Sequence, residues 1–226
     1  KRYKRIFLLG PSHHEWLDGA SVNTEADYYA TPLGNVKVDH ETAINLTKAD
    51  SVFSYHRSAH AQEHCLEVQL PFLQRRLGDV PPIVPIIIST NDYNKLKRMA
   101  DVLKPYFTDE NLFVISSDFS HYPSYDDANE VDAKTGKAIE TGNVEEFIAT
   151  INANADSGKR NLGYDTTYND VMTAIQIQCI VIVVVAIQDT DAVNLYTVTG
   201  QIVLHPATAI TQRDVLNHDV VALYKT

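Results

Sequence analysis

Cysteine and long apolar runs are scarce in this sequence, and each scarcity argues against a class of protein. Among 226 residues there are only two cysteines, Cys65 and Cys179. A secreted domain of this length usually carries more cysteines in disulfide bonds, so we expect a cytoplasmic location. The longest apolar run, residues 180–187, is far shorter than the ~20 residues that a membrane-spanning helix requires. We therefore expect a soluble protein that has no membrane partner.

Basic residues are also in the minority. The chain carries 19 Lys and Arg residues against 29 Asp and Glu residues, which gives a formal net charge of −10. Proteins that bind nucleic acid neutralise phosphates with clustered Lys and Arg, whereas the one basic cluster here, residues 1–5, leads directly into an apolar strand. We expect no nucleic-acid partner. The apolar fraction of 44% is ordinary for a globular protein, and we expect one domain over residues 1–226.

Apolar runs that end at Gly or Pro predict buried strands, and apolar residues repeated every three or four positions predict helices. The predicted strands cover residues 4–10, 27–30, 83–88, 111–116, 193–198 and 220–224, and the predicted helices cover residues 40–49, 63–77, 91–103, 125–140, 143–154 and 165–188. The polar segment 12–23 is predicted to be a loop, and Pro71 is predicted to kink or divide its helix. This alternation predicts an α/β fold with a mixed central sheet flanked by helices.

Histidines follow two of the predicted strands. His13 comes directly after strand 4–10, and His121 follows strand 111–116. We expect strands 4–10, 83–88 and 111–116 to lie side by side, with their carboxyl ends at one edge where ligands bind. His64, at the start of a predicted helix, is the third candidate for the same crevice.

Imidazole is a ligand for iron, copper or zinc and an acid or base near neutral pH. Each histidine taken alone is equally explained as a hydrogen-bonded structural residue. The sequence contains no His-Glu-x-x-His and no paired Cys-x-x-Cys motif. The pattern therefore predicts a shared histidine pocket without specifying a metal.

Four segments, in this order, resemble the signature motifs of the Memo family. They are residues 5–14 (RIFLLGPSHH), 31–34 (TPLG), 63–73 (EHCLEVQLPFL) and 116–123 (SSDFSHYP). The resemblance covers about residues 4–145. Members of this family are similar in fold to class III extradiol dioxygenases, so the resemblance implies an α/β sandwich whose pocket corresponds to a non-haem iron site.

The resemblance also implies roles for the three histidines. His13 matches a metal-ligand histidine. His121 matches a histidine of the same metal site that serves as acid and base, and His64 matches a histidine beside the pocket that assists catalysis or faces the substrate. The implied cofactor is iron or copper. An iron site of this type needs two histidines and one carboxylate, and the sequence does not indicate which carboxylate completes it.

Two motifs of the family depart from its usual form here. The family's His-Ala-Gly-Tyr motif, which supplies another ligand, belongs before Lys1, so we expect the family's N-terminal segment to be missing. The family's late Cys-Gly motif is matched only by Cys179, which Ile180 follows. We predict that Cys179 is buried away from the histidines, on one helical face with Ile175 and Val183. The alternative is that its sulfur faces the pocket as a ligand for a soft metal.

Three hypotheses about function are compatible with these observations. The first is a Memo-like protein whose histidine pocket binds iron or copper and supports oxidoreductase, dioxygenase-like chemistry. The alternative is a non-catalytic binding or adaptor module that uses the same pocket for a peptide or a small molecule. A third hypothesis is a processing partner encoded beside radical-SAM proteins, where microbial members of the family occur.

Overall fold

The computed structural model describes residues 2–117, 123–157, 180–184 and 202–204. Its strands are β1 (Arg5–Pro11), β2 (Ala20–Val22), β3 (Tyr28–Thr31), β4 (Gly34–Lys37), β5 (Phe53–Ser54), β6 (Ile83–Ile88), β7 (Asn111–Ser117), β8 (Ile180–Val184) and β9 (Ile202–Leu204). Its helices are α1 (His40–Ala49), α2 (Arg57–Ala61), α3 (Leu70–Leu77), α4 (Tyr93–Leu103), α5 (Tyr125–Glu140) and α6 (Val144–Asp156), with short 3-10 turns at Glu67–Gln69 and Lys104–Tyr106.

Seven of these strands form one mixed sheet in the order β5-β2-β6-β1-β7-β8-β9. Strand β1 pairs in parallel with β6 on one side and with β7 on the other. Strand β2 runs antiparallel to β6, and β9 runs antiparallel to β8. The prediction that strands 4–10, 83–88 and 111–116 lie side by side in one sheet is confirmed, with β1 in the middle. The carboxyl ends of β1, β6 and β7 therefore meet at one edge of the sheet.

Alternate residues of β1 enter two separate hydrophobic cores, one on each face of the sheet. Phe7 belongs to the first core, where its ring stacks on Phe113 at a centroid distance of 4.5 Å. Leu8 belongs to the second core, where it is completely buried together with Leu70 of α3. Because side chains alternate across a strand, each face of the sheet receives every second apolar residue. Helices cover both faces, as an α/β sandwich requires.

The structure corrects the predicted helix over residues 63–77. A 3-10 turn at Glu67–Gln69 leads into α3, which begins at Leu70. Pro71 lies in the first turn of α3, where a missing backbone N–H costs no helical hydrogen bond. The predicted helical segment is thus divided next to Pro71, as one of the two predicted alternatives has it, and the proline stands where the α-helix begins.

Two further differences concern strands. The polar segment 12–23 contains β2, and the predicted helix 165–188 is wrong at residues 180–184, which form β8. The sequence of residues 180–184 is uniformly apolar and has no alternation with polar residues, so periodicity does not distinguish a strand from a helix there. The predicted strands at 193–198 and 220–224 lie outside the described residues. No helix in the part of the chain that the structure describes has the length and apolarity to cross a membrane.

Candidate metal site

The loop after β1 begins with a tight turn at the edge of the sheet. The backbone N–H of Ser12 donates to the carbonyl of Ile88 at 2.9 Å, which extends the pairing between β1 and β6 by one residue. The Ser12 hydroxyl then donates to the carbonyl of Glu15 at 2.6 Å. These two bonds fix the backbone on either side of His13, so this histidine lies just beyond the carboxyl end of β1.

Glu63 is a buried carboxylate that forms hydrogen bonds with this loop. Its side chain is only 1% exposed. One carboxylate oxygen, Oε2, accepts the backbone N–H of His13 at 2.7 Å. The other, Oε1, lies 2.8 Å from His13 Nδ1 and accepts the backbone N–H groups of His64 at 2.9 Å and Cys65 at 3.2 Å. A single carboxylate therefore joins the loop after β1 to the segment that precedes α3.

The charge of Glu63 follows from these contacts. Burial alone raises the pKa of a carboxyl group, but the hydrogen bonds from the His13 ring and from the backbone N–H groups of His13 and Cys65 outweigh it. The pKa of Glu63 is lowered to about 2. Glu63 is therefore a buried carboxylate anion across the whole physiological range of pH.

Two imidazole rings stand beside this anion. The rings of His13 and His64 are stacked, with centroids 4.8 Å apart and planes 29° apart. The His14 ring meets His64 edge-on at 6.2 Å. The His64 side chain is 57% exposed and the His13 side chain 25%. The potential ligand atoms of His13, Glu63 and His64 all lie within 4.8 Å of one another, a spacing that one metal ion can bridge.

Cys65 packs between the end of β1 and the segment that carries His64. Its thiol donates to the carbonyl of Pro11 at 3.2 Å, and the residue is only 4% exposed. Gly10 leaves the space that the sulfur occupies, because a β-carbon on Gly10 would lie 2.6 Å from Cys65 Sγ. Cys65 is thus a packing residue between the two segments that carry the histidines.

The structure brings together two of the three histidines singled out from the sequence, His13 and His64. His121 lies outside the described residues, beyond the end of β7, and so does Cys179; their placement remains a prediction. Glu63 was missed as a site residue, although it directly precedes His64 in the same motif. A carboxylate next to a candidate ligand was the available signal.

A second polar cluster, which the sequence did not indicate, lies near the first. His60 Nε2 is 3.0 Å from the hydroxyl of Ser21, and His60 Nδ1 is 3.4 Å from the hydroxyl of Tyr29. Asn23 donates to the same Tyr29 hydroxyl at 3.3 Å. Burial lowers the pKa of His60 to about 4 and raises that of Tyr29 to about 12, so both side chains are neutral at pH 7. This cluster connects β2, β3 and α2 without carrying charge.

A family model described as Memo-like protein matches residues 1–169. The chain belongs to the Memo-like family. The match includes β1, the histidine loop after it, the Glu63–His64 segment and the segment after β7, so the candidate site lies entirely within the Memo-like part of the chain.

Individual relatives agree with this assignment. The Protein memo-1 homolog of Caenorhabditis elegans is 32% identical over 161 residues, which are 64% of this chain and 46% of that protein. A MEMO1 family protein of Methanopyrus kandleri is 36% identical over 59% of this chain and 48% of its own length. The Protein MEMO1 of Xenopus laevis is 34% identical over 53% of this chain and 41% of its own length. The chain thus matches about half the length of these curated relatives.

A solved structure supports the fold alone. The crystal structure of an uncharacterized protein from Escherichia coli K12 superimposes with a TM-score of 0.53 at 13% sequence identity. The superposition covers 78% of this chain and 75% of that protein. The mixed α/β sheet flanked by helices is therefore shared with a protein of very different sequence.

Proposed function

We propose that this Memo-like chain binds a redox-active metal ion, iron or copper, at the carboxyl edge of its sheet, with His13 as a ligand. The observation that carries the proposal is the convergence of His13, Glu63 and His64, whose potential ligand atoms lie within 4.8 Å of one another. These residues come from two segments 50 positions apart, so their approach results from the fold and not from adjacency in sequence.

The chemistry of these side chains fits such an ion. Neutral imidazole is a common ligand for iron and copper. The buried Glu63 anion supplies a negative charge that favours a cation close by, because charges interact strongly where water is excluded.

The remaining roles are extensions of the same proposal. His121 serves as acid and base and as a metal-site histidine, and the exposed His64 faces the substrate, as the family resemblance implies. With dioxygen and a bound small molecule, such a site supports oxidoreductase chemistry. A cytoplasmic location and a single domain over residues 1–226 belong to the proposal as well.

The exposure of His64 favours a second candidate function. A side chain that is 57% exposed, with His14 beside it, presents imidazole N–H groups at the surface. Such groups can donate hydrogen bonds to an anionic or phenolic group of a peptide or small ligand without any catalysis. In that case the pocket acts as a binding or adaptor site.

Elemental analysis of protein purified without chelators tests the metal-binding proposal. We expect near-stoichiometric iron or copper in the wild type, loss of most of it in His13→Ala, and unchanged content in His56→Ala. The control removes an exposed histidine that does not belong to the cluster of potential ligands. Wild-type protein that carries no iron or copper, and takes up neither when they are supplied, would contradict the proposal.

Dioxygen consumption separates the two functions. Metal-loaded protein that consumes dioxygen in the presence of catechol-type test compounds acts as an oxidoreductase. Metal-loaded protein that binds such compounds without consuming dioxygen acts as the binding module.

A further inference from the structure

Glu63 makes an unusually complete set of hydrogen bonds for a carboxylate near a candidate metal site. Three backbone N–H groups, from His13, His64 and Cys65, and the Nδ1 atom of the His13 ring all lie between 2.7 and 3.2 Å from its two oxygens. A carboxylate offers about four lone-pair positions. Oε1 makes three of these contacts and Oε2 makes one, so Oε1 has no lone pair left for a metal ion.

The contact between Glu63 and the His13 ring determines which ring nitrogen carries the proton. An ionised carboxylate only accepts hydrogen bonds, so the nitrogen that faces it must carry the proton. Glu63 faces Nδ1 of His13 at 2.8 Å. The neutral ring is then the Nδ1–H tautomer, in which Nε2 carries the lone pair that can bind a metal ion.

We infer that Glu63 is a positioning residue and not a metal ligand: it fixes the orientation and the tautomer of His13, so that Nε2 becomes the ligand atom. The inference about the tautomer stands on the hydrogen bonds alone. Its consequence for metal affinity rests on the proposed function.

Direct ligation through Oε1 would break contacts that hold the site together. A metal ion on Oε1 displaces at least one of its three N–H donors, which are the His13 ring and the backbone N–H groups of His64 and the buried Cys65. A buried donor that loses its partner is costly. Carboxylates that hold a metal-bound histidine through its second nitrogen are, by contrast, a common arrangement in metal sites.

The first test uses the metal-free protein at about pH 8, where free imidazoles are neutral. Long-range nitrogen–proton correlation spectra of histidine side chains distinguish the two tautomers. We expect His13 to be the Nδ1–H tautomer in the wild type. An Nε2–H tautomer in the wild type would overturn the inference, and no variant is needed for that result.

The second test replaces the carboxylate. In Glu63→Gln, one acceptor oxygen becomes an NH2 group, so the four donors cannot all be satisfied and the His13 ring loses its fixed tautomer. We expect the affinity for Fe2+ or Cu+, measured anaerobically, to fall about 10- to 100-fold, the usual effect of losing such a partner. Glu67→Gln is the matched control: it removes the same charge from an exposed residue four positions away and should change neither quantity.

The outcomes separate this inference from the proposed function. A Glu63→Gln protein in which the His13 tautomer is unchanged while metal binding is abolished would make Glu63 a direct ligand and overturn the inference. Unchanged metal affinity in Glu63→Gln would overturn it as well. If the wild type binds neither metal, the proposed function fails, while the tautomer in the metal-free protein still decides the role of Glu63.

Discussion

At the scale of single residues, the close approach of the His13 loop and the Glu63–His64 segment depends on a glycine, which has no β-carbon. Gly10, in β1, faces Cys65, and a β-carbon on Gly10 would lie 2.6 Å from the sulfur and 2.9 Å from Cδ2 of Leu66. These separations are shorter than van der Waals contact, so any larger residue forces the two segments apart. The geometry of the His13 and His64 rings depends on this contact.

We predict that Gly10→Ala lowers the free energy of unfolding by about 1–3 kcal/mol, the usual cost of overpacking a core. Urea unfolding measures this change. In a Cys65→Ala background the added methyl group no longer meets the sulfur, so the same substitution should cost less there. Equal costs in both backgrounds would show that the methyl group does not meet the sulfur.

His60 gives the protein a pH dependence of its own. Burial lowers its pKa to about 4, from an ordinary value of about 6.5, so the unfolded chain binds a proton more readily than the folded protein. Stability is therefore fully present above about pH 6.5 and falls as the pH drops towards about 4, by roughly 2–3 kcal/mol in total. The lowered pKa of Glu63 acts at lower pH, between about 4.5 and 2.

Urea unfolding between about pH 7 and pH 4 checks this prediction. We expect His60→Gln to flatten the dependence over that range, because the side chain that must take up a proton is gone. A wild-type stability that is constant from pH 7 to pH 4 would contradict the assignment of His60 as a buried neutral group.

Part of the candidate site was predictable from the sequence. His13 and His64 were predictable because one follows a buried strand and the other stands at the start of an expected helix. Glu63 was indicated only by its place next to His64, and its role as the link to His13 was not predictable, since it depends on a contact with a residue 50 positions away that only the folded chain creates. His60 was missed for the same reason: its partners, Ser21 and Tyr29, lie on strands in another part of the chain.

At the scale of elements, the most predictable segments were those with strong local signals. Helix α5 covers Tyr125–Glu140, as predicted, and Ser124 caps it. Helix α1 covers His40–Ala49, also as predicted, and Asp39 caps it by accepting the backbone N–H of Thr42 at 3.0 Å. Strand β2 was missed because three residues are too few for any periodicity, and β8 was predicted as helix because its residues are uniformly apolar.

Helix α4 supplies a test at this scale. Asp92 is its N-cap, and its side chain accepts the backbone N–H groups of Asn94 at 2.8 Å and Lys95 at 3.3 Å. We predict that Asp92→Ala lowers the free energy of unfolding by about 1 kcal/mol, because two N–H groups of the first turn lose their acceptor. Thermal or urea unfolding measures the change.

Asp101→Ala, an exposed position on the same helix, is the matched control and should change stability little. Metal content should be the same in both variants, because α4 contributes no residue to the cluster of His13, Glu63 and His64. A full-sized loss of stability in the control, or none in Asp92→Ala, would contradict the capping role.

At the scale of the whole molecule, the sheet topology explains why the candidate site lies where it does. Strands β6, β1 and β7 are parallel neighbours, so their carboxyl ends lie at one edge of the sheet. The loop after β1 places His13 just beyond that edge, and the segment before α3 brings Glu63 and His64 next to His13. The Memo-like match over residues 1–169 includes all of these elements.

The most direct measurement of the central claim is the unfolding of metal-free protein with and without added Fe2+ or Cu+, in the absence of dioxygen. A ligand that binds only the folded state stabilises it by about 2.7 kcal/mol at a concentration 100 times its Kd. We predict that the metal stabilises the wild type and His56→Ala equally and stabilises His13→Ala far less. No stabilisation of the wild type, or equal stabilisation of His13→Ala, would contradict the proposal that His13 holds a metal ion in this pocket.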